Sequence, residues 1–251
     1  MSIETSSHRI DDALRRASVY ELFAHAFAYP DEDRLAALRT VASEVLVSNR
    51  HTLILRFAMI AQEVSRSALE SAFVSLTTFS SSPDCPAFET AYFGSDAQQQ
   101  TQRMADIAGF YRAFGVDSPE GGYRPDDLPV ELEFMAFLCR KEAYAAEHLG
   151  APRTGQARRA QRLFLEDHLG RWAGRFGKAV ALRVPVGHFY ALAGETLASW
   201  LASECSLLGA NPEVVQGDPT PNWPAPTSHG PEFAGDPSFV PIEDLVEPAL
   251  R

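Results

Sequence analysis

The sequence predicts an all-α fold: a single bundle of about eight helices followed by a proline-rich, mostly non-helical C-terminal extension. Three observations carry that prediction. Apolar residues recur at three- and four-residue spacing through most of the first 210 positions, no convincing stretch alternates with the period of a strand, and the prolines gather at the end. Nine of the 17 prolines lie in the last 41 residues, in runs such as PTPNWPAPTSHGP, so that region cannot be helical for most of its length. The chain therefore divides into a helical domain over 1–210 and an extension over 211–251. The extension is either a disordered tail or an extended strap on the bundle, and Trp223, Phe233 and Phe239 would give a strap its apolar anchors.

The elements follow in order. Residues 10–29 place Ala13, Leu14, Ala17, Tyr20, Phe23 and Phe27 on a broad apolar stripe, and Pro30 stops that helix. Asp31 then caps a second helix carrying Leu35, Leu38, Val41 and Val45. HTLILRFAMIAQEV and SALESAFVSLTTF continue with helical spacing, and 80–96 is a connector. A helix over 97–115 ends at Gly115, and DSPEGGYRPDD is a turn-rich link into a helix that runs to about His148. GAPRTG interrupts the pattern before a helix over 155–182, and a last helix spans 185–209.

Composition excludes several classes. Hydrophobic residues make up 45% of the 251, enough for a core, and the net charge of −11 argues against a nucleic-acid binder, which needs a basic face. Cys85, Cys139 and Cys205 lie far apart without a C-x-x-C pair, which reads as reduced thiols in a cytoplasm. No segment is long and apolar enough for a membrane span, and MSIETSSHRIDDALRR lacks the apolar region of a secretory signal. Arg15-Arg16 imitates a twin-arginine signal, but the amphipathic residues after it read as an ordinary first helix.

Catalytic patterns are absent. There is no G-x-S-x-G, no G-x-x-x-x-G-K and no H-E-x-x-H, and none of the seven histidines follows a glutamate by three positions as a di-iron bundle requires. His25 beside Glu21 reads as a lone contact, and His168 and His188 as packed histidines of aromatic helices. RPDDLPVELEFMAFL sets four carboxylates beside an apolar run. Glu131 and Glu133 diverge by roughly 200° around a helix, so they cannot act on one substrate. Asp126 and Asp127 sit where acids favour a helix start, and an Asp127 N-cap would bond the Val130 N–H because Pro129 has none. Glu131, one turn further in at the edge of an apolar face, is not explained by helix initiation.

Four segments together resemble the TorD/DmsD/NarJ class of redox enzyme maturation chaperones. They are YELFAHAFAYPDEDRL at Tyr20–Leu35, CPAFETAY at Cys85–Tyr92, MADIAGFYRAFG at Met104–Gly115 and RPDDLPVELEFMAFLCRKEAYA at Arg124–Ala145. The likeness leans to the branch serving type II dimethyl-sulfoxide-reductase-family molybdoenzymes, and it covers roughly four-fifths of the chain, to about residue 207. The resemblance implies an all-helical, cytoplasmic, cofactor-free protein that is not an enzyme. Its partner would be the apo precursor of a molybdenum catalytic subunit and that precursor's twin-arginine signal peptide. The chaperone holds the subunit until its molybdenum cofactor is inserted, delaying export, as a monomer or homodimer without nucleic acid or stable membrane insertion.

The family's loop-to-helix motif, Pro-Asp-His-Leu followed by Glu-Leu-x-Phe-Met, is implicated in client binding. Pro125, Asp126, Leu128, Glu131, Leu132, Phe134 and Met135 match it, while Asp127 stands at the histidine. The resemblance thus implies a client or signal-peptide site at Arg124, Pro125, Asp126, Asp127, Glu131, Phe134 and Met135, with Glu89, Tyr92 and Tyr111. An acidic site suits an arginine-rich peptide, and Phe110 and Phe114 join the aromatic candidates for an apolar groove. Two other classes stay open: a helical enzyme with a carboxylate-based site, and a structural subunit of an oligomeric complex.

Overall fold

In the computed structural model the described residues are 3–77, 85–94, 96–117 and 123–216. Every regular element among them is helical: α1 Ile3–Phe27, α2 Glu32–Ser48, α3 Thr52–Glu63, α4 Arg66–Thr77, α5 Ala97–Ala113, α6 Leu128–His148, α7 Ala151–Phe164, α8 Gly170–Arg183 and α9 Phe189–Leu208. A short 3₁₀ helix, Glu89–Tyr92, precedes α5, and a π-turn, Leu165–Leu169, joins α7 to α8 in one continuous rod. The only strand-like feature among the described residues is one antiparallel bridge, Phe88 with Asp127. The all-α expectation is met.

Local chemistry sets most boundaries. α1 stops three residues before Pro30, and the Asp31 side chain accepts the Arg34 N–H at 2.7 Å as the N-cap of α2. Gly115 takes φ +72° just past α5, a conformation that ends the helix without steric cost.

Two sequence expectations need correction at the third long rod. GAPRTG does not interrupt the helix over its length, because Gly150 is the N-cap and Pro152 falls within the first turn, where a missing N–H costs nothing. Nor is 155–182 plain α-helix. The π-turn inserts at Leu165–Leu169, and a Cβ on Gly170 would lie 2.4 Å from the Leu165 carbonyl oxygen. That wider turn carries His168 into the interior. The last helix starts at Phe189 rather than 185, since His188 is its N-cap and its ring nitrogen accepts the Tyr190 N–H at 3.2 Å.

The core forms where α1 runs along α6 and where α8 and α9 pack together. Phe23 stacks on Phe57 at 5.4 Å, Phe57 meets Phe189 at 5.5 Å, and Phe27 meets Phe176 edge-on at 5.3 Å. α8 and α9 touch backbone to backbone at Gly177 and Gly194, where an added Cβ on Gly194 would fall 2.2 Å from the Gly177 carbonyl oxygen.

A polar cluster ties four helices inside this core. Arg16 of α1 donates to Glu204 of α9 at 2.8 Å and to Glu142 of α6 at 3.0 Å, and its Nη2 reaches Gln161 of α7 at 2.5 Å. Residues 211–216 follow α9 without regular secondary structure and lie against α8. The Val215 N–H donates to the Arg171 carbonyl at 3.1 Å, and Arg175 donates to the Val215 carbonyl at 3.0 Å. Trp223, Phe233 and Phe239 lie outside the described residues, and so does the strap expected from them. No described helix is long and apolar enough to cross a membrane.

Candidate functional site

The stretch Arg124–Asp127 is a tight turn that feeds α6. The Asp127 N–H donates to the Arg124 carbonyl at 3.2 Å, and the Arg124 N–H donates back to Asp127 Oδ2 at 2.7 Å. Asp127 is the N-cap residue by position, yet its side chain makes no cap bond, so the expected bond to the Val130 N–H is corrected. The carboxylate is already committed to its own turn. Burial pushes Asp127 up to about 6, against the lowering effect of the Arg124 N–H.

The 3₁₀ helix is clamped to this turn from the other side. The Glu89 N–H donates to the Asp126 carbonyl at 2.9 Å, and the Leu128 N–H to the Ala87 carbonyl at 2.9 Å. Asp126 is fully buried and accepts from the Thr90 N–H at 3.0 Å and the Thr90 hydroxyl at 2.7 Å. Arg124 closes the arrangement with Nε 2.8 Å and Nη2 3.0 Å from the two Asp126 oxygens, its guanidinium lying 4.4 Å over the Phe88 ring.

Behind this clamp lie two more buried carboxylates. Glu89 accepts from Arg103 of α5 at 2.6 Å, and its other oxygen lies 3.2 Å from His168 Nδ1 of the π-turn. Glu131 accepts from the Trp172 indole N–H at 3.3 Å, while its second oxygen has no hydrogen-bond partner among the described residues. Burial, then the neighbouring charges of Glu89 and Asp126, push the Glu131 carboxyl well above the usual carboxylate range. Three buried carboxylates face two guanidiniums and the His168 imidazole, and burial beside the other carboxylates favours the protonated, neutral form of Glu131. Glu131 is thus interior, not at the edge of an apolar face, whereas Glu133 points out and pairs with Arg34 at 2.7 Å. The clustered carboxylates Glu89, Asp126 and Glu131 are buried and line neither groove beside α5, and no group of three or more His, Cys, Asp or Glu among the described residues is placed to hold a metal ion.

Two grooves flank α5. The larger, about 860 Å³, is lined by Phe93, Phe110 and Phe114 with Arg103, Arg171, Asp106, Asp167 and His168. The smaller, about 180 Å³, has Tyr111, Val116, Val130, Phe134 and Phe137 as walls and Asp117 and Glu133 at its rim. Tyr111 anchors the α5 end between them, donating its hydroxyl to the Pro125 carbonyl at 2.6 Å and packing on Phe134 at 4.7 Å.

The ten residues read from the sequence divide between surface and interior. Arg124, Pro125 and Asp127 are partly exposed, while Asp126, Glu131, Phe134, Met135, Glu89, Tyr92 and Tyr111 are buried. Glu89, Asp126 and Glu131 come together with Arg124. Tyr111 and Phe134 line the smaller groove. Tyr92 packs on Trp172 at 5.2 Å, and Met135 is core; neither lines a groove among those described. Sequence reasoning missed Arg103, Phe93, Thr90 and Arg171, and took His168 as merely packed. The one signal that bore on His168 is Gly170 inside an otherwise helical pattern, a mark of close backbone approach.

Residues 26–178 match the nitrate reductase delta subunit family. The perchlorate reductase assembly chaperone protein of Dechloromonas aromatica (strain RCB) is 31% identical over 202 residues, spanning 75% of this chain and 88% of that protein. The chlorate reductase assembly chaperone protein of Ideonella dechloratans is 28% identical over 208 residues, spanning 81% and 95%. A crystal structure from Archaeoglobus fulgidus, provisionally named a redox enzyme maturation protein, superposes with a TM-score of 0.50 at 20% identity over 74% of this chain and 93% of that one, a likeness of fold alone. The named relatives are assembly chaperones rather than catalysts. On these matches and the all-helical architecture, the chain belongs to the nitrate reductase delta subunit family, within the TorD/DmsD/NarJ class of redox enzyme maturation chaperones.

Proposed function

We propose that this protein is a cytoplasmic assembly chaperone for the catalytic subunit of a type II dimethyl-sulfoxide-reductase-family molybdoenzyme, with an oxyanion reductase as its client. It binds the apo precursor and its twin-arginine signal peptide, keeps the subunit open until the molybdenum cofactor is inserted, and delays export. The relatives' assembly roles toward perchlorate and chlorate reductase support the client class.

The observation that carries the binding role is the larger groove. It is open, lined by aromatic rings with charged side chains between them, and backed by the buried Glu89 cluster. Such a surface suits a peptide that presents apolar and cationic side chains in turn, while the separation of Glu131 from Glu133 offers nothing to catalyse a reaction.

Co-purification tests the reading. The protein is expected to capture the apo catalytic subunit of its client reductase, with the signal peptide adding to affinity. A strain lacking the protein that retains full molybdenum content and reductase activity would sink the proposal.

A further inference from the structure

Arg103 occupies a pocket shaped for a guanidinium, and it does so incompletely. Its Nη1 donates to the fully buried Glu89 carboxylate at 2.6 Å and lies 3.4 Å from the Asp167 carbonyl oxygen. Its guanidinium carbon sits 3.5 Å from the centroid of Phe93, over the ring face, and Arg171 lies against the same ring at 4.7 Å. Among the described residues only one of its three nitrogens makes these bonds. A buried carboxylate, a backbone carbonyl and an aromatic platform are the three elements that select arginine over lysine, because a planar, weakly hydrated fork can stack and donate at once.

The position of this pocket matters as much as its chemistry. Phe93, Arg103, Asp167 and His168 all line the larger groove, so the pocket is part of its wall rather than a closed interior. The Arg103 side chain retains 22% exposure, whereas its partner Glu89 has none. α5, which carries Arg103, has only Ile107, Ala108 and Tyr111 buried along its 17 residues. It also follows Gly94 at φ +91° and precedes Gly115 at φ +72°. An internal cation held by a lightly seated helix at the edge of an open groove can be exchanged for an external one.

We propose that the Glu89–Phe93 pocket is an arginine-recognition subsite of the client groove, held in the empty protein by Arg103 as an internal stand-in that an arginine side chain of the bound peptide displaces. This rests on the chaperone reading above and adds to it the residue that the groove recognises and the contact that restrains it. The restraint follows from competition: a ligand for a site already filled binds with an affinity lowered by the fraction of molecules in which the site is vacant. Arginine release then frees α5 on its Phe110–Phe114 side and couples peptide capture to widening of the groove.

The test uses the full chain and two synthetic peptides, each with an apolar segment preceded either by two arginines or by two lysines. Arg103→Ala is expected to bind the arginine peptide about ten-fold more tightly than the wild type, as removal of a stand-in present in about nine molecules of ten requires. The lysine peptide gains little, and Glu89→Gln weakens arginine-peptide binding by more than ten-fold. Arg103→Lys, which keeps the charge but not the planar stack, gives an intermediate gain and serves if the alanine variant folds poorly. Millimolar methylguanidinium is expected to raise the melting temperature of Arg103→Ala, with methylammonium inert. Unchanged or weaker arginine-peptide binding by both Arg103 variants overturns the exchange, even where methylguanidinium stabilises. If the wild type still captures the precursor in that case, the chaperone reading stands alone. Failure of the wild type to capture the precursor overturns both.

Discussion

Two buried charge clusters hold this protein together, and they are built to different standards. In the bundle core, Glu142 and Glu204 face two guanidiniums, Arg16 and Arg158, which reach all four carboxylate oxygens, and Gln161 and the Tyr20 hydroxyl donate further bonds to Glu142 Oε2 and Glu204 Oε2. The central cation, Arg16, is 4% exposed, and every member stands on a long helix. At the α6 entrance, Glu89, Asp126 and Glu131 share only Arg103 and Arg124, with His168 alongside, and Arg124 keeps 41% exposure. There the supports are a 3₁₀ turn, a loop and a π-turn, and one oxygen of Glu131 has no hydrogen-bond partner among the described residues. The balanced cluster fixes four helices in register. In the unbalanced one both cations reach in from the surface, whereas the balanced one keeps Arg16 inside and has only Arg158 at the surface, so the partners at the α6 entrance can change without unfolding the core. Functional sites are where local rules of charge pairing and helix regularity are commonly broken.

The largest expected effect lies in the balanced cluster. Arg16→Ala leaves Glu204 in the core without its cation and Glu142 with Arg158 alone, and should cost about 3–5 kcal/mol in urea unfolding. A loss under about 1 kcal/mol would dissolve the contrast. At the second cluster, Glu131→Ala opens a cavity and orphans the Trp172 N–H, with an expected loss of about 2–4 kcal/mol. Glu131→Gln, an uncharged near-isostere of a protonated acid, should stay within about 1 kcal/mol of the wild type. Equal losses in the two variants would mean that Glu131 carries a charge in the fold.

The pH dependence sharpens the same point. Glu131 titrates above its ordinary value of 4.5 in the fold, so the folded state holds a proton that the unfolded chain releases. Its contribution to stability is therefore full below that ordinary value and falls as pH rises beyond it. Glu131→Gln should flatten that fall in melting temperature measured from acid to alkaline pH. The smallest effect belongs to Asp127, whose carboxyl moves from 3.8 to about 6. Between those values stability declines as pH rises, and Asp127→Asn should remove a slope amounting to on the order of 1 kcal/mol, after allowance for its partial exposure.

The sequence by itself determined the helical class, most helix boundaries and the position of the α6 entrance. Those rest on interactions among near neighbours: Asp31 capping α2, Pro30 ending α1, Gly115 closing α5, and a 3.6-residue apolar period marking each buried face. It also separated Glu131 from Glu133, because their angle around a helix is fixed by spacing alone. It marked Glu131 as unexplained by helix initiation, named Asp126 and Glu89 as binding residues only through resemblance, and gave no sign that all three are buried. Only the tertiary structure decided that Glu89 would meet Arg103 and His168, 14 and 79 positions away, or that Glu131 would face Trp172, 41 positions on. Those pairings depend on how the 3₁₀ turn, α5 and the π-turn are brought against α6. Burial and charge balance are sums over all the elements that surround a group, so no window of sequence contains them.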